Sequence, residues 1–469
     1  MSINKTYWKG LDEKSQSPEF KVKANKEFSE DLPIEEFVGG DQVNDFQTGR
    51  RDFLKFLGFG VAAATLASCE TPVIKSIPYI NKPEEITPGV ANWYASTFFD
   101  GNDFANILVK AREGRPIWIK GNKDFGLTKG GLTPRINSSV LNLYNSERLQ
   151  GATIDGKENT WTTVDGLITS ELKAIADAGG KIRILSGTVA SPSTQLAIDA
   201  FKANLGGDVE LVQYDAVSYS AIRSANEKTF GNAIIPDYDF SKAKSIVSID
   251  ADFISNWIFP TKFQTGYANT RKPENGWMSR HFQFESVMTL TGANSDYRTM
   301  IKPSQTGLVA AAILKHVGGK DLGVSIPEEI DAAAHKAAES LKANKGESLV
   351  VCGTNDVSVQ TVVNAINQAL GNYGKTIDIA KPLDLKQGND AKVETLVNDV
   401  IGGKVKGIIF YNTNPVYTLP NGAEFGEALK GIATSVSFSQ FADETAANCK
   451  YVCPDHNYLE SWNDYSVKR

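Results

Sequence analysis

The fold is decided by the stretch Lys181-Ile-Arg-Ile-Leu-Ser-Gly187, an apolar run that ends in a turn and predicts a buried strand. Residues 193–205 follow with the periodicity of a helix. Two more predicted strands, 210–214 and 245–252, alternate with a second predicted helix, 219–230. Strand–helix–strand units of this size are typical of a parallel, doubly wound sheet.

The same alternation returns towards the C-terminus. The predicted strands there are 348–353, 376–380, 407–411 and 435–441, and the predicted helices are 357–370, 391–401 and 422–430. We therefore predict an α/β fold with two doubly wound parallel-sheet lobes, residues 151–345 and residues 346–469. Ligands of such sheets bind at the carboxyl ends of the strands, which in the first lobe are Ser186-Gly187-Thr188 and Asp250-Ala251-Asp252.

A small β-rich domain is predicted ahead of the two lobes, over residues 92–150. Residues 105–112 and 115–120 have the composition of strands, and Glu113-Gly114 between them is typical of a hairpin turn.

An export signal is predicted near the N-terminus. Arg50 and Arg51 precede a short apolar run that ends in small residues before Cys69. This order is typical of a bacterial signal and resembles a twin-arginine signal joined to a lipobox, in which Cys69 would be acylated. A buried helix is the alternative, because the run 53–67 is shorter than the roughly 18 apolar residues that span a bilayer. We predict a twin-arginine lipoprotein signal over residues 1–68 and a lipid-anchored location on the periplasmic side of the inner membrane.

The segments around this signal are polar or proline-rich. Residues 1–48 have an acidic middle, which predicts either an extended leader of the signal or an acidic adaptor-binding segment. Four prolines between residues 71 and 88 remove backbone donors and fix φ. We predict a Pro-rich tether over residues 69–91.

Charge and cysteine content exclude several classes of protein. The formal net charge is -6 and no long basic stripe is present, which argues against a nucleic-acid partner. The chain has 4 cysteines. If Cys69 carries lipid, the odd remainder cannot form a disulfide framework, and a cubane cluster held by cysteines needs four.

Three stretches carry a resemblance to a known family. Residues 112–135, which run from Arg-Glu-Gly-Arg-Pro-Ile-Trp-Ile-Lys to Gly-Gly-Leu-Thr-Pro-Arg, and residues 142–149 look like the opening domain of molybdopterin oxidoreductases. Residues 443–454, Asp-Glu-Thr-Ala-Ala-Asn-Cys-Lys-Tyr-Val-Cys-Pro, resemble a later block of that family. The chain thus resembles the dimethyl sulfoxide reductase superfamily over about residues 92–464. Within it, the chain is most similar to the molybdopterin-fold subunit of bacterial alternative complex III.

The ligands of the family's iron–sulfur cluster are missing. Active relatives hold a [4Fe-4S] cluster in the opening domain through four cysteines. In this chain the corresponding positions hold Phe98, Gly101, Ala105 and Thr133, and Arg135 stands where the family has a lysine. None of the four side chains supplies a donor comparable to a thiolate, so we expect no cluster in residues 92–150.

The pterin and molybdenum positions also depart from the family. Ser218 and Ser220 lie nearest to the residue that binds molybdenum in active relatives, although a serine there is also a good helix cap. Lys302 stands in the position of an arginine and Ser304 in that of a glycine, in a segment (302–306) where relatives contact the pterin phosphate. The change removes a planar donor fork and a close backbone approach, which argues against phosphate binding.

Two further groups of residues remain open to more than one interpretation. Cys449, Cys453 and His456 offer three donors, which suit either an incomplete metal site or buried thiols. The aromatic insertion 256–298, which contains the lone His281, predicts a ligand pocket, a partner surface or a loop with its own core.

The resemblance implies a non-catalytic scaffold subunit of a quinol-oxidising respiratory complex, with no catalytic, cofactor-binding or metal-binding residue in this chain. Its partners would be polytopic quinol-oxidising membrane subunits, multihaem and monohaem cytochromes c and a ferredoxin-like iron–sulfur domain. Haems and iron–sulfur clusters would lie on those partners or in a missing C-terminal part.

Two alternatives remain. The first is a periplasmic molybdenum–pterin oxidoreductase that lacks the nearby cluster, which twin-arginine export would suit. The second is a solute-binding lipoprotein, since those are also anchored α/β proteins with two lobes.

Overall fold

A computed structural model describes residue 87 and residues 89–469. The predicted signal with Arg50, Arg51 and Cys69 lies outside the described residues, as does most of the predicted tether. The described residues form one compact unit. Within the described part, no helix combines the length and the apolar character that a membrane crossing requires.

The strands of the described residues are numbered in chain order. They are β1 (Ala91–Phe99), β2 (Phe104–Arg112), β3 (Arg115–Gly121), β4 (Thr153–Ile154), β5 (Lys157–Glu158), β6 (Lys181–Ser186), β7 (Asp208–Gln213), β8 (Ile235–Tyr238), β9 (Ser245–Ile249), β10 (Arg280–Glu285), β11 (Tyr297–Met300), β12 (Ser348–Cys352), β13 (Ile377–Leu383), β14 (Val405–Tyr411), β15 (Thr434–Ser437) and β16 (Tyr451–Val452).

The helices are numbered in the same way. They are α1 (Pro134–Ser138), α2 (Val140–Leu143), α3 (Trp161–Asp177), α4 (Pro192–Leu205), α5 (Ser220–Phe230), α6 (Pro260–Asn269), α7 (Leu290–Ala293), α8 (Thr306–His316), α9 (Glu328–Ala343), α10 (Val357–Ala369), α11 (Asp390–Ile401), α12 (Pro415–Thr418) and α13 (Gly422–Leu429).

The opening sheet is antiparallel, in the order β1-β2-β3. Its β2–β3 hairpin turns at Glu113 and Gly114, as the sequence predicts, and both residues have positive φ (52° and 77°). Two such residues give the turn whose twist matches the flanking strands. One face of the sheet packs Phe98, Ile107 and Ile119 into a core with residues of α1 and α2.

The large sheet has seven strands in the order β5-β4-β16-β15-β14-β6-β7. From β16 to β7 its strands are parallel. Separate apolar clusters cover its two faces, one with α11 and α13 and the other with α3 and α4. Parallel strands buried on both faces carry apolar runs such as Lys181–Ser186.

The small sheet has four parallel strands in the order β11-β10-β9-β12. Every residue of β9 and β12 is buried. Two sheets of parallel strands with helices are the architecture that the sequence predicts. Strand β13 differs from the prediction, since it pairs antiparallel with β8 in a separate two-stranded sheet.

The path of the chain also differs from the predicted succession of lobes. β6 and β7 precede the small sheet in sequence, yet β6 pairs with β14, which follows it. The small sheet is therefore inserted between two halves of the large sheet, and a boundary at residue 345 does not separate the sheets. The reason is that the pairing joins residues more than two hundred positions apart, such as Ile184 and Ile409, and no local pattern encodes it.

The aromatic insertion supplies a core. It folds as α6 and β10 with connecting loops, and Trp257, Phe259, Phe263 and Tyr267 are all buried. These rings join a cluster that also contains Phe104 of the opening sheet, so the segment fastens the opening domain to the small sheet.

Candidate functional site

An open space lies at the carboxyl edge of the large sheet, beside the opening domain. It is a cleft of about 810 Å³, lined by the residues that follow β6, β14 and β15 and by residues of β1 and α1. Its lining residues include Phe98, Asp100, Arg135, Thr188, Ser191, Thr194, Tyr411, Asn412, Asn414, Phe438, Gln440, Asp443, Asp455, Tyr458, Trp462 and Tyr465. The predicted strand end Ser186-Gly187-Thr188 thus reaches the cleft.

Two strand ends approach closely at the floor of the cleft. The N–H of Gly187 donates to the carbonyl of Tyr411 at 3.0 Å. Asn412, the next residue, has φ 50°. A Cβ added to Gly187 would lie 2.7 Å from the carbonyl oxygen of Asn412, so only glycine fits this crossing without a shift.

The N-terminus of α4, which lies at this edge of the large sheet, already binds a carboxylate of the protein itself. Asp464 accepts hydrogen bonds from the hydroxyls of Ser191 and Ser193, at 2.5 and 2.8 Å, and from the N–H of Ser193 at 3.3 Å. These groups begin α4, the helix that follows the first strand of the sheet. The first turn of such a helix is where a phosphate binds in doubly wound folds. Here the bonds from Ser191 and Ser193 lower the pKa of Asp464, so its carboxylate stays charged in that place.

The charge of the cleft is unfavourable for a phosphate. Carboxylates of Asp100, Asp443 and Asp455 line it, and the guanidinium that faces them belongs to Arg135. Arg135 is already paired with Asp100 at 3.3 Å and with Asp103 at 2.9 Å. A phosphate would meet carboxylates and an arginine whose charge is compensated.

Of the four positions that correspond to cluster ligands, Phe98, Ala105 and Thr133 are buried and Gly101 is half-buried. Phe98 packs edge-on against Tyr458, with ring centroids 5.1 Å apart, and Ala105 is fully buried. Thr133 caps α1 and donates to Asp103 at 2.6 Å. The carbonyl of Gly101 accepts a hydrogen bond from Nζ of Lys386 at 2.6 Å. None of these atoms is a thiolate, so the residues present do not fit an iron–sulfur cluster.

Lys386 and Asp215 are buried ionisable residues that attract each other electrostatically, and no sequence pattern indicates this arrangement. Burial lowers the pKa of Lys386 and raises the pKa of Asp215. Asp215 accepts hydrogen bonds from the hydroxyl of Thr188 at 2.7 Å and from the N–H of Gly388 at 2.8 Å. Lys386 and Asp215 therefore tie the opening domain to the strand ends of the large sheet.

The carboxyl edge of the small sheet is closed by its own carboxylates. Asp250 accepts from the N–H of Ser286 at 3.1 Å and from the hydroxyl of Thr306 at 3.0 Å. Asp252 accepts from the N–H and hydroxyl of Thr291, at 3.2 and 2.6 Å. The predicted strand end 250–252 is in place, but its donors are already satisfied by aspartates.

A third carboxylate, that of Glu285, lies behind this edge in the protein core. Gln283 joins His281 to Glu285 along one face of β10, with hydrogen bonds of 3.3 and 3.1 Å. Glu285 is 1% exposed, accepts from the hydroxyl of Thr289 at 2.7 Å and pairs with Arg298. Burial lowers the pKa of His281 to about 4, so the imidazole is neutral at pH 7 and serves as a hydrogen-bonded core residue.

The segment that replaces the family's phosphate contacts forms a single turn, Pro303–Gln305, followed by α8. The side chain of Gln305 accepts from the N–H of Lys302 at 2.8 Å, and Thr306 is bound to Asp250. The side chains of Gln305 and Thr306 thus bond within the protein, whereas those of Lys302 and Ser304 are exposed.

The remaining candidates lie apart from one another. The hydroxyl of Ser218 accepts from the N–H of Ser220 at 3.1 Å and donates to Asp390 at 2.6 Å. Cys449 and Cys453 are buried in clusters on opposite faces of the large sheet, and His456 is exposed. Burial raises the pKa of Cys449 to about 12 and that of Cys453 to about 11. Among residues 89–469, no three or more His, Cys, Asp and Glu side chains are grouped to hold a metal ion.

The side chains at both strand edges therefore do not fit a pterin dinucleotide. Its phosphates need N–H donors and cations, whereas both edges present carboxylates that already hold the donors. Asp464 and Glu285 accept several of the hydrogen bonds at these edges, and neither residue was predicted from the sequence. Glu285 had a signal, since it ends an alternating run in which His281, Gln283 and Glu285 share one face. Asp464 had none.

Comparisons with known proteins agree with this fold. No family model matches the chain. The menaquinone reductase molybdopterin-binding-like subunit of Nitratidesulfovibrio vulgaris is 24% identical over 471 aligned residues, which cover 88% of this chain and 66% of that protein. Acetylene hydratase from Pelobacter acetylenicus, of the dimethyl sulfoxide reductase family, matches with a TM-score of 0.54 at 12% identity, over 76% of this chain and 62% of that one.

The predicted resemblance to the molybdopterin oxidoreductase superfamily is confirmed by these two relatives. The predicted fold class is confirmed as well, since the parallel sheets and helices match a molybdopterin oxidoreductase-like fold. The chain spans less than two thirds of the length of each relative.

Proposed function

We propose that this chain is a non-catalytic, molybdopterin-fold subunit of a membrane-associated quinol:acceptor oxidoreductase of the alternative complex III type. The relative in Nitratidesulfovibrio vulgaris is named as a subunit of a menaquinone reductase and as molybdopterin-binding-like, which supports a role beside quinone chemistry. The observation that carries the proposal is the replacement of ligand contacts at both strand edges by Asp464, Asp250 and Asp252.

A scaffold needs exposed surface for its partners, and one such surface adjoins the small sheet. Val287, Met288, Leu290 and Met300 are between 55% and 74% exposed. Met300 lies beside Glu285 in register, at the end of the edge strand β11. Exposed apolar groups next to an unpaired strand edge mark a protein interface. The occupants we propose are the cytochromes c and the ferredoxin-like iron–sulfur domain, which would carry the haems and clusters.

The proposed location is the periplasmic side of the inner membrane, with lipid on Cys69 and cleavage after the signal that contains Arg50 and Arg51. Mass spectrometry of the intact chain purified from membranes tests this directly. A diacylglycerol mass on an N-terminal Cys69 is expected. An unmodified chain that begins at Met1 contradicts both cleavage and acylation.

The decisive measurement for the main proposal is the cofactor content of the intact complex. Molybdenum and tungsten are measured by inductively coupled plasma mass spectrometry, and pterin is measured by fluorescence after oxidation. We expect far less than one metal and one pterin per chain. A molybdenum enzyme purified from the same cells is the control, since its full loading shows that cofactor was available. Close to one metal per chain would establish the alternative, a molybdenum–pterin oxidoreductase without the cluster.

The proposed partner surface beside the small sheet is tested by introducing charged residues into it. Met288→Lys together with Met300→Lys should release partner subunits during purification of the complex, because it places two ammonium groups in an apolar contact. Leu196→Lys is the matched control, since Leu196 is 70% exposed on α4. Full retention of every partner in the double variant would exclude this surface as an interface.

A further inference from the structure

The outer face of the opening sheet carries two exposed tryptophans side by side. Trp93 of β1 and Trp118 of β3 flank Lys110 of β2 in register. Their ring centroids are 5.6 Å apart, and they are 43% and 44% exposed. Because tryptophan is usually mostly buried, two adjacent exposed rings indicate an interaction surface.

Two lysine ammonium groups lie beside the ring of Trp93. Nζ of Lys110 and Nζ of Lys120 lie 5.8 and 5.9 Å from the ring centroid of Trp93. Within the described residues, neither lysine forms an ion pair with a carboxylate. Residues 108–123 contain five basic residues and one acidic residue, whereas the whole chain has a net charge of -6. The surface is therefore aromatic and positively charged on a protein that is negative overall.

The outer face is buried at one end, where Phe99 and Phe104 join the core, but its part next to the β2–β3 hairpin is not needed to hold the sheet in place. The opposite face supplies the core contacts through Phe98, Ile107 and Ile119. The end of the sheet away from the β2–β3 hairpin is fixed by Phe104, which packs against Phe259 with ring centroids 5.9 Å apart. Trp93 and Trp118 lie towards the other end, next to the β2–β3 hairpin, so the rings are free to contact a partner.

The chain reaches this same end of the sheet from the predicted lipid attachment. Gly89 lies just before β1, and its N–H donates to the side chain of Glu113 in the hairpin at 3.2 Å. Gly89 lies twenty positions after Cys69, so nineteen residues separate them. Even fully extended they span at most about 70 Å. The opening sheet is the first part of the described fold after Cys69. A lipid anchor at Cys69 would therefore keep this sheet near the bilayer.

We infer that the surface formed by Trp93, Trp118, Lys110 and Lys120, here named the tryptophan face, docks on the anionic surface of a lipid bilayer. Indole rings are favoured at the boundary between headgroups and acyl chains, and lysines bind anionic headgroups while their stems cover apolar surface. Beside a lipid anchor, a basic contact of this kind adds electrostatic attraction to anionic lipids. The inference uses the proposed lipid anchor for its geometry, whereas the chemistry of the face is independent of that anchor.

Quenching by brominated lipid tests the contact. The full chain is reconstituted into vesicles of phosphatidylglycerol and phosphatidylcholine in which part of the phosphatidylcholine carries bromine on its acyl chains. Bromine quenches tryptophans that lie at the bilayer. Trp93→Phe with Trp118→Phe should abolish most of the quenching. Trp161→Phe is the matched control, since Trp161 is 47% exposed elsewhere, and should leave the quenching unchanged.

A second pair of variants tests the charge. Lys110→Gln with Lys120→Gln should weaken partitioning onto phosphatidylglycerol vesicles at low salt by about tenfold. Lys173→Gln with Lys404→Gln is the control, because these lysines are 56% and 63% exposed and lie on other elements. Vesicles of phosphatidylcholine alone should show little difference between the two pairs.

The outcomes separate the docking from the proposed anchor. A chain with lipid on Cys69 whose quenching does not depend on Trp93 and Trp118 overturns the docking and leaves the anchor in place. A chain with an unmodified Cys69 whose binding to anionic vesicles depends on the tryptophan face overturns the anchor and supports the docking. If a partner subunit in the purified complex shields both tryptophans from brominated lipid, the face is a protein interface and the inference is wrong.

Discussion

At the carboxyl edge of the large sheet Gly187 lies against Asn412, and at that of the small sheet Gly353 lies against Asp250. In each pair the glycine N–H donates to the carbonyl just before its neighbour, at 3.0 and 2.8 Å, and the neighbour has φ 50°. The two sheets thus end in the same backbone arrangement. One edge nevertheless opens onto a cleft of about 810 Å³, whereas at the other the carboxylates of Asp250 and Asp252 accept hydrogen bonds from the surrounding segments.

The side chains make the difference between these edges. Asp250 turns its carboxylate to the donors of Ser286 and Thr306, whereas Asn412 lines the open cleft. The open edge is not a vacant phosphate site, since Asp464 already occupies the N-terminus of α4. A shared strand-end geometry therefore does not by itself leave donors free for a ligand, because the carboxylates decide which donors remain available.

Removing a carboxylate from the closed edge should have the largest effect. Glu285→Ala removes a buried carboxylate that accepts hydrogen bonds from Gln283, Thr289 and Arg298, leaves a cavity, and should lower the free energy of unfolding by about 2–4 kcal/mol. Glu285→Gln, which keeps hydrogen-bonding capacity, should cost less. Denaturant unfolding followed by circular dichroism measures both.

The control for Glu285 is an exposed ion pair. Asp177→Ala breaks the pair between Lys173 and Asp177, whose side chains are 56% and 62% exposed, and should change stability by about 0.5 kcal/mol or less. If Glu285→Ala costs no more than Asp177→Ala, the closed edge is not held by its buried carboxylate.

The two glycines provide a matched test of the shared strand-end geometry. A Cβ at Gly353 would lie 2.0 Å from the carbonyl oxygen of Asp250, while one at Gly187 would lie 2.7 Å from that of Asn412. Both alanine variants should lose about 1–3 kcal/mol, with the larger loss at Gly353, because its clash with backbone is more severe. Thermal unfolding of the two variants under identical conditions gives the order. A larger loss at Gly187 would mean that the edges are built differently.

The smallest effect is expected at the open edge. Ser191→Ala removes the cap of α4, in which the Ser191 hydroxyl accepts from the N–H of Thr194 at 3.1 Å, and should cost about 1 kcal/mol. Ser138→Ala is a matched control, since that exposed hydroxyl donates only to the carbonyl of Arg135.

Asp464 gives this edge a pH dependence. Its folded pKa is lowered by the bonds from Ser191 and Ser193, so its stabilising contribution is present above the unfolded pKa and is lost as pH falls through the folded pKa. The stability difference between the wild type and Asp464→Asn should therefore shrink from neutral pH towards pH of about 3. A difference that stays constant over this range would show that the carboxylate charge does not matter at the helix N-terminus.

Much of the fold followed from sequence because its elements are local. The alternation of apolar runs and helical periodicity predicted strands such as Lys181–Ser186 and helices such as Val357–Ala369 to within a residue or two. The family resemblance followed from motifs at both ends of the described fold. The absence of cysteine at Phe98, Gly101, Ala105 and Thr133 was likewise a property of the sequence, because a thiolate cannot be supplied by another residue type.

The tertiary structure alone decided how these elements meet. The pairing of β6 with β14, which inserts the small sheet between two halves of the large one, depends on backbone hydrogen bonds between distant residues and leaves no local trace. The same holds for Asp464 at the N-terminus of α4 and for Lys386 at the carbonyl of Gly101, since each joins residues separated by more than 250 positions. Sequence therefore determined which chemical groups this protein has and lacks, and folding determined which of them occupy the places where a ligand would bind.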